Sequence, residues 1–150
     1  MILVAGGIAS GKKTYLQTCG IDTAGAFDAC NFTGDIACLE NVQVLLHAEE
    51  LVRKSALDSA VIERLLNMNA ITYNEVGSGV IPLSREDRLF RERAGSLSSL
   101  LAKEAACVVR MVCGIPVVLK GEAPDTRGIP GTGEAPDLLQ SPASNSSNLS

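Results

Sequence analysis

Nine residues near the start of the chain carry its strongest chemical pattern. Gly6-Gly7-Ile8-Ala9-Ser10-Gly11-Lys12-Lys13-Thr14 follows directly on the strand-like run Ile2-Leu3-Val4-Ala5. Glycines at 6 and 11 let a short loop bend until several backbone N–H groups converge on one phosphate, where side chains would block the anion. Lys12 adds a point charge for the terminal phosphates, and a helix starting near residue 11 would aim the positive end of its dipole at them. The nucleotide-binding pattern asks for a Ser or Thr hydroxyl straight after the lysine to ligate Mg²⁺. This chain has Lys13 there and Thr14 one position later. The loop is therefore expected to hold GTP or ATP through Gly6, Gly7, Ile8, Ala9, Ser10, Gly11, Lys12, Lys13 and Thr14, with Thr14 the candidate Mg²⁺ ligand in a shifted register.

Two carboxylates are placed to work beside such a loop. Glu75 follows Ala70-Ile71-Thr72-Tyr73-Asn74 and precedes Gly77 and Gly79. An acid at the carboxyl end of a parallel strand lies in the crevice where α/β folds bind ligands, and can orient a substrate hydroxyl or a metal-bound water. Its bland alternative is a solvated corner of a turn. Glu40 closes the apolar run Ile36-Ala37-Cys38-Leu39, which is expected as a second buried strand, so Glu40 is a candidate catalytic acid and metal ligand. The alternative is a helix-start acid favoured by the dipole. His47, the only histidine, falls on what the spacing of Val44, Leu45, Ala48, Leu51 and Val52 predicts as an amphipathic helix, where a surface or packing role is expected. The cysteines, 5 in number, form no CxxC pair and have no histidine close in sequence to complete a zinc set.

The elements that must position these groups are those of one α/β domain. The 150 residues are enough for a single core, and aromatics at 3 % with no Trp make that core aliphatic. The body, residues 1–120, reads as strand, loop and short helix, then a surface loop over Ile21 to Gly34. Next come the expected strand at 36–39, a helix over Val44 to Val52, and a helix capped by Asp58 or Ser59. The strand at 70–73, a long helix capped by Ser84, and two strands at Cys107–Val112 and Ile115–Lys120 complete it. Gly114 marks the tight turn of an antiparallel hairpin. From Gly121 the composition turns to Gly, Pro, Ser and Asn, and 121–150 is expected to be a disordered tail. It cannot offset the roughly 1–2 kcal/mol per residue that ordering costs.

Net charge is −4, most of it after Lys120, with no basic patch, so nucleic acid is not an expected partner. No run of about eighteen apolar residues is present, and the first apolar run is interrupted by glycines. A cytoplasmic protein without membrane association is expected.

The loop, the segment Asn74-Glu75-Val76-Gly77-Ser78-Gly79-Val80-Ile81-Pro82 and the closing hairpin together resemble the cobinamide kinase/cobinamide-phosphate guanylyltransferase family of cobalamin biosynthesis. Asn74 to Pro82 is similar to the family's Asn-Glu-Val-Gly-x-Gly-x-Val-Pro signature. Arg88, Phe90, Arg91, Ala94 and Gly95 fall where the family has its Arg-x-Phe-Arg-Asp-x-x-Gly helix. The resemblance implies a P-loop NTPase-like α/β fold, mainly a parallel sheet flanked by helices, with an antiparallel C-terminal hairpin. It also implies phosphorylation of the aminopropanol hydroxyl of adenosylcobinamide, followed by GMP transfer from GTP through a histidine nucleophile, and homo-oligomers. Glu40 falls where the family carries an acid. The stretch that bears the family's nucleophile is shortened here to the loop Ile21–Gly34, which holds no histidine, and that role is not carried over to His47. Ala9 and Lys13 stand where the family has Arg and Ser, and Ser98-Ser99 where it has Asn-Gln. A cobinamide-directed phosphotransferase is expected, the alternative being a nucleotide-binding relative without turnover.

Overall fold

The structure, a computed structural model, describes residues 1–54, 57–77 and 84–124. Ser78 to Pro82 of the signature and the tail from residue 125 lie outside the described residues.

The first strand, β1 (Ile2–Gly6), runs through the middle of a six-stranded sheet. Its neighbours are β4 (Ala70–Asn74) and β5 (Cys107–Val112), both parallel to it, with Gly6 level with Asn74 and with Met111. Beyond β4 come β3 (Val44–Leu46) and the two-residue edge strand β2 (Phe27–Asp28), again parallel. Beyond β5, β6 (Ile115–Lys120) returns antiparallel. The order is β2-β3-β4-β1-β5-β6. The turn into β6 has Cys113 at φ 51° and Gly114 at φ 80°. Two successive positive φ angles suit the right-handed twist of a tight hairpin, and glycine meets that requirement without strain.

Strand alternation divides the core. Leu3, Leu45, Ile71, Tyr73 and Val108 face α2 (Glu49–Lys54), α3 (Ser59–Leu66) and α4 (Arg85–Glu104). Ile2, Val4, Val44, Leu46 and Val109 face α1 (Lys12–Thr18), which contributes Tyr15 and Leu16. Each fully buried Leu or Ile adds about 1.5–3 kcal/mol of transfer free energy. Because both faces are covered, the inner strands are continuously apolar rather than alternating. Helix starts follow the caps: Asp58 accepts from the N–H of Val61 and Ser84 from that of Asp87.

Three expectations are corrected. Ile36–Leu39 is a 3₁₀ helix, not a strand, started by Asp35, whose carboxylate accepts from the N–H of Ala37. The strand is Val44–Leu46, in what the spacing predicted as helix. The loop Ile21–Gly34 contains β2 and a 3₁₀ turn at Ala29–Asn31.

Candidate functional site

Helices leave β1 and β4 toward opposite faces of the sheet, which opens a crevice at the carboxyl ends of those two strands. The loop from Gly6 to Gly11 lies there. At Gly6 a Cβ would meet the carbonyl oxygen of Met111 at 2.7 Å, so the loop leaves β1 through a gap that only glycine fits. Ala9 and Gly11 take positive φ angles of 56° and 87°, which turn the chain into α1. Ile8 is 87 % exposed at the loop's tip.

Lys12, in the first turn of α1, folds back under this loop and is buried. Its ammonium donates to the carbonyls of Gly6 at 3.3 Å and Gly7 at 2.5 Å, with Ser10 Oγ at 3.4 Å. Burial pushes its pKa below the ordinary lysine value, and the charges of Glu49 and Glu75 oppose that shift. Lys12 is thus a cation held by two loop carbonyls and one hydroxyl, with two acids within electrostatic reach. Lys13 and Thr14 are both exposed, and Lys13 lines a shallow groove with Gln17 and Asp22, beyond the loop.

Glu49 is the acid that the sequence reading missed. It opens α2, three residues after β3, and is 3 % exposed. One carboxylate oxygen accepts the backbone N–H of Asn74 at 2.9 Å and the other accepts its side-chain amide. Glu40 stands elsewhere. It is exposed at the end of the 3₁₀ helix, ahead of β3, whereas the loop lies at the strands' carboxyl ends. Arg64 fixes that segment by donating to the carbonyls of Leu39 and Val42 at 2.9 and 2.6 Å. The structure therefore removes Glu40 from the crevice, because the strand it was thought to end does not exist.

Glu75 is in the crevice as expected, its N–H bonded to the carbonyl of Gly6 at 3.0 Å. Its carboxylate is engaged by Arg110 of β5, which donates from Nε and Nη2 at 2.7 and 2.9 Å. A paired guanidinium fixes both carboxylate oxygens in one plane. Beside it opens a cavity of about 490 Å³ lined by Ala5, Tyr73, Glu75, Gly77, Ser98 and Ser99 among others. Arg91 packs alongside Gly77, and the Tyr73 hydroxyl donates to the carbonyl of Ala94 at 2.6 Å, tying α4 to the site.

Asn74 Oδ1 is buried without a hydrogen-bond partner among the described residues. Next to the Glu49 carboxylate and level with Gly6, this unpartnered oxygen gives a donor set of oxygens only, which suits a hard cation such as Mg²⁺.

The sequence pattern of the family described as cobinamide kinase / cobinamide phosphate guanyltransferase matches residues 36–119. The chain belongs to this family. Its membership carries a role of that type in cobalamin biosynthesis, a nucleotide-related transferase activity on cobinamide, and a P-loop-like fold. No curated protein matches the chain. The matched stretch includes Glu49, Asn74, Glu75 and Arg110 but begins after the Gly6–Thr14 loop, which stands on its own geometry. No helix among the described residues is long and apolar enough to cross a membrane.

Proposed function

We propose that the chain is a cobinamide kinase that transfers the terminal phosphoryl group of GTP or ATP to the aminopropanol hydroxyl of cobinamide, without the guanylyl-transfer step. The observation that carries this is the Lys12 ammonium, held by the Gly6 and Gly7 carbonyls at the crevice that Glu49 and Glu75 flank. On nucleotide binding the ammonium turns from the Gly6 and Gly7 carbonyls to phosphate oxygens, while the loop's N–H groups and the start of α1 receive the anion. Mg²⁺ supplies charge neutralisation when bound with the nucleotide, and Glu49, Asn74 and Thr14 would hold it. Glu75, kept planar by Arg110, accepts a hydrogen bond from the substrate hydroxyl, and the cavity beside it receives the substrate's side arm. Such catalysis is mainly positioning and electrostatics and needs no covalent protein intermediate. That agrees with the loop Ile21–Gly34, which holds no histidine.

A nucleotide-binding relative without turnover is the second reading. Lys13 in place of a hydroxyl and the pairing of Glu75 with Arg110 favour it. Calorimetric titration with GTP and ATP, with and without Mg²⁺, followed by a phosphorylation assay on cobinamide, separates the two: binding without transfer leaves only the second.

The body 1–120 is the nucleotide-binding domain in this proposal, and the location is the cytoplasm. Self-association is also part of it. Among the described residues β6 is an edge strand with Ile115, Val117, Val118 and Leu119 all exposed, and an apolar edge of that kind is a template for pairing with another copy. Sedimentation velocity should find an oligomer, and a monomer at every concentration would contradict it.

A further inference from the structure

Two strands away from Lys12, the carboxyl ends of β2 and β3 bring together three side chains that sequence spacing keeps apart. Asp28 ends β2, Cys30 lies in the following 3₁₀ turn, and His47 follows β3. Their ligand atoms all lie within 4.8 Å of one another. We propose that Asp28, Cys30 and His47 form a three-ligand site for a borderline-soft divalent cation of the Zn²⁺ or Co²⁺ type, separate from the nucleotide crevice. The absence of a histidine near any cysteine in sequence had argued against a zinc set, but β2 and β3 pair with Asp28 level with Leu46, and that register delivers the histidine.

The geometry suits such an ion without large rearrangement. His47 Nδ1 lies 3.1 Å from both carboxylate oxygens of Asp28. Two ligands about 2.0–2.1 Å from a tetrahedral zinc stand about 3.3 Å apart, so nitrogen and oxygen are already near their spacing. The third ligand is a thiol, and thiolate with imidazole selects zinc-like ions over Mg²⁺ or Ca²⁺, which require oxygen. Cys30 is exposed and the other two are part-buried, so an ion can enter and a fourth position stays open to water or an anion.

The ligands are held from behind. The backbone N–H of His47 donates to Thr72 Oγ1 at 3.0 Å, the N–H of Cys30 donates to Asp28, and Lys54 donates to the carbonyl of Cys30. These bonds fix backbone positions, and the Cys30 thiol itself bonds to the Asp28 side chain, so the sulfur already lies against the carboxylate. His47 keeps φ at 58°, a conformation costly for a residue with a side chain, and in it the ring faces Asp28. Lys54 and Glu50 are the other charged groups facing Cys30. The bond to Asp28 does most to push the thiol's pKa up, Glu50 adds to that and Lys54 opposes it, and metal coordination would displace the proton outright.

The test uses the full chain, stripped with chelator and then titrated with Co²⁺. A thiolate-to-cobalt charge-transfer band together with intense tetrahedral ligand-field bands is expected, and Zn²⁺ should bleach both. Cys30→Ser should abolish the charge-transfer band, and His47→Gln should weaken binding at least about tenfold. The unaltered protein offers a check that depends on no variant. Zn²⁺ should slow alkylation of Cys30 at least about tenfold while leaving Cys113, the other exposed thiol, unchanged. Equal alkylation rates at both cysteines with and without Zn²⁺, or Co²⁺ spectra of the octahedral aquo type, would overturn the site and leave a plain His47–Asp28 hydrogen bond.

Discussion

The Glu49 carboxylate grips Asn74 at two points, taking both its backbone N–H and its side-chain amide, and so ties the start of α2 to the end of β4. The bond fixes the strand end that faces Gly6, and with it the floor of the loop that holds Lys12. Glu49→Ala leaves a backbone donor and an amide without partners in a buried place, which costs about 1–3 kcal/mol. Chemical denaturation should show that loss, with Glu49→Gln losing clearly less because it keeps an acceptor for the backbone N–H. Equal stability of all three proteins would mean the bond adds nothing.

Alkaline stability follows from Tyr73. Burial first, and then the nearby charge of Glu49, push its hydroxyl up from 10.0 to about 12. A group with a raised folded pKa gives stability that is complete below its unfolded value and is lost as pH climbs through the folded one. Unfolding free energy should therefore decline between pH 10 and pH 12, by an amount on the order of 2 kcal/mol for this group. Tyr15, also pushed up by burial, adds to the same decline. Tyr73→Phe should flatten part of it, at the expense of the bond to Ala94. Denaturant titrations across that range check the slope, and an unchanged slope in the variant would count against it.

If the proposed function holds, Lys13 sets the metal dependence of nucleotide binding. A hydroxyl at this position would give Mg²⁺ a protein ligand next to the phosphates. Lys13→Ser should tighten nucleotide binding in the presence of Mg²⁺ by about tenfold, or about 1.4 kcal/mol, and leave binding without Mg²⁺ within about twofold. Calorimetry with and without the ion measures both. A Mg²⁺ response identical to that of the unaltered chain would place the ion elsewhere.

Much of the fold was legible because local chemistry and tertiary packing agree. β1 and its loop, the capped helices at Asp58 and Ser84, β4, and the hairpin at Cys113-Gly114 all appear where turn residues and apolar runs put them. The stretch from residue 21 to residue 54 was misread for a physical reason. Short apolar runs do not distinguish a buried strand from a helical turn. Ile36–Leu39 is settled by the Asp35 cap and by Arg64, which reaches it from 25 residues away. Val44–Leu46 is a strand because helices cover both its faces, which erases the alternation that would mark it.

The candidate site was legible where one segment supplies the chemistry, as in the loop and at Glu75, and illegible where it is assembled across strands. Glu40 follows an apolar run that reads as a strand and folds as a 3₁₀ helix. Glu49 follows the strand that exists, and its partner Asn74 lies 25 residues away. Arg110 carried no motif at all; only the pairing of β5 with β1, which sets Ala5 beside Arg110, brings it to Glu75.

The most direct test of the account follows a labelled terminal phosphoryl group from GTP or ATP onto cobinamide, comparing the unaltered chain with Lys12→Ala. Transfer by the former is expected with at least one of the two nucleotides. Lys12→Ala should lose it by about a hundredfold or more while keeping its cooperative unfolding transition. Transfer that persists undiminished in Lys12→Ala, or no transfer from either nucleotide in the unaltered chain, would contradict it.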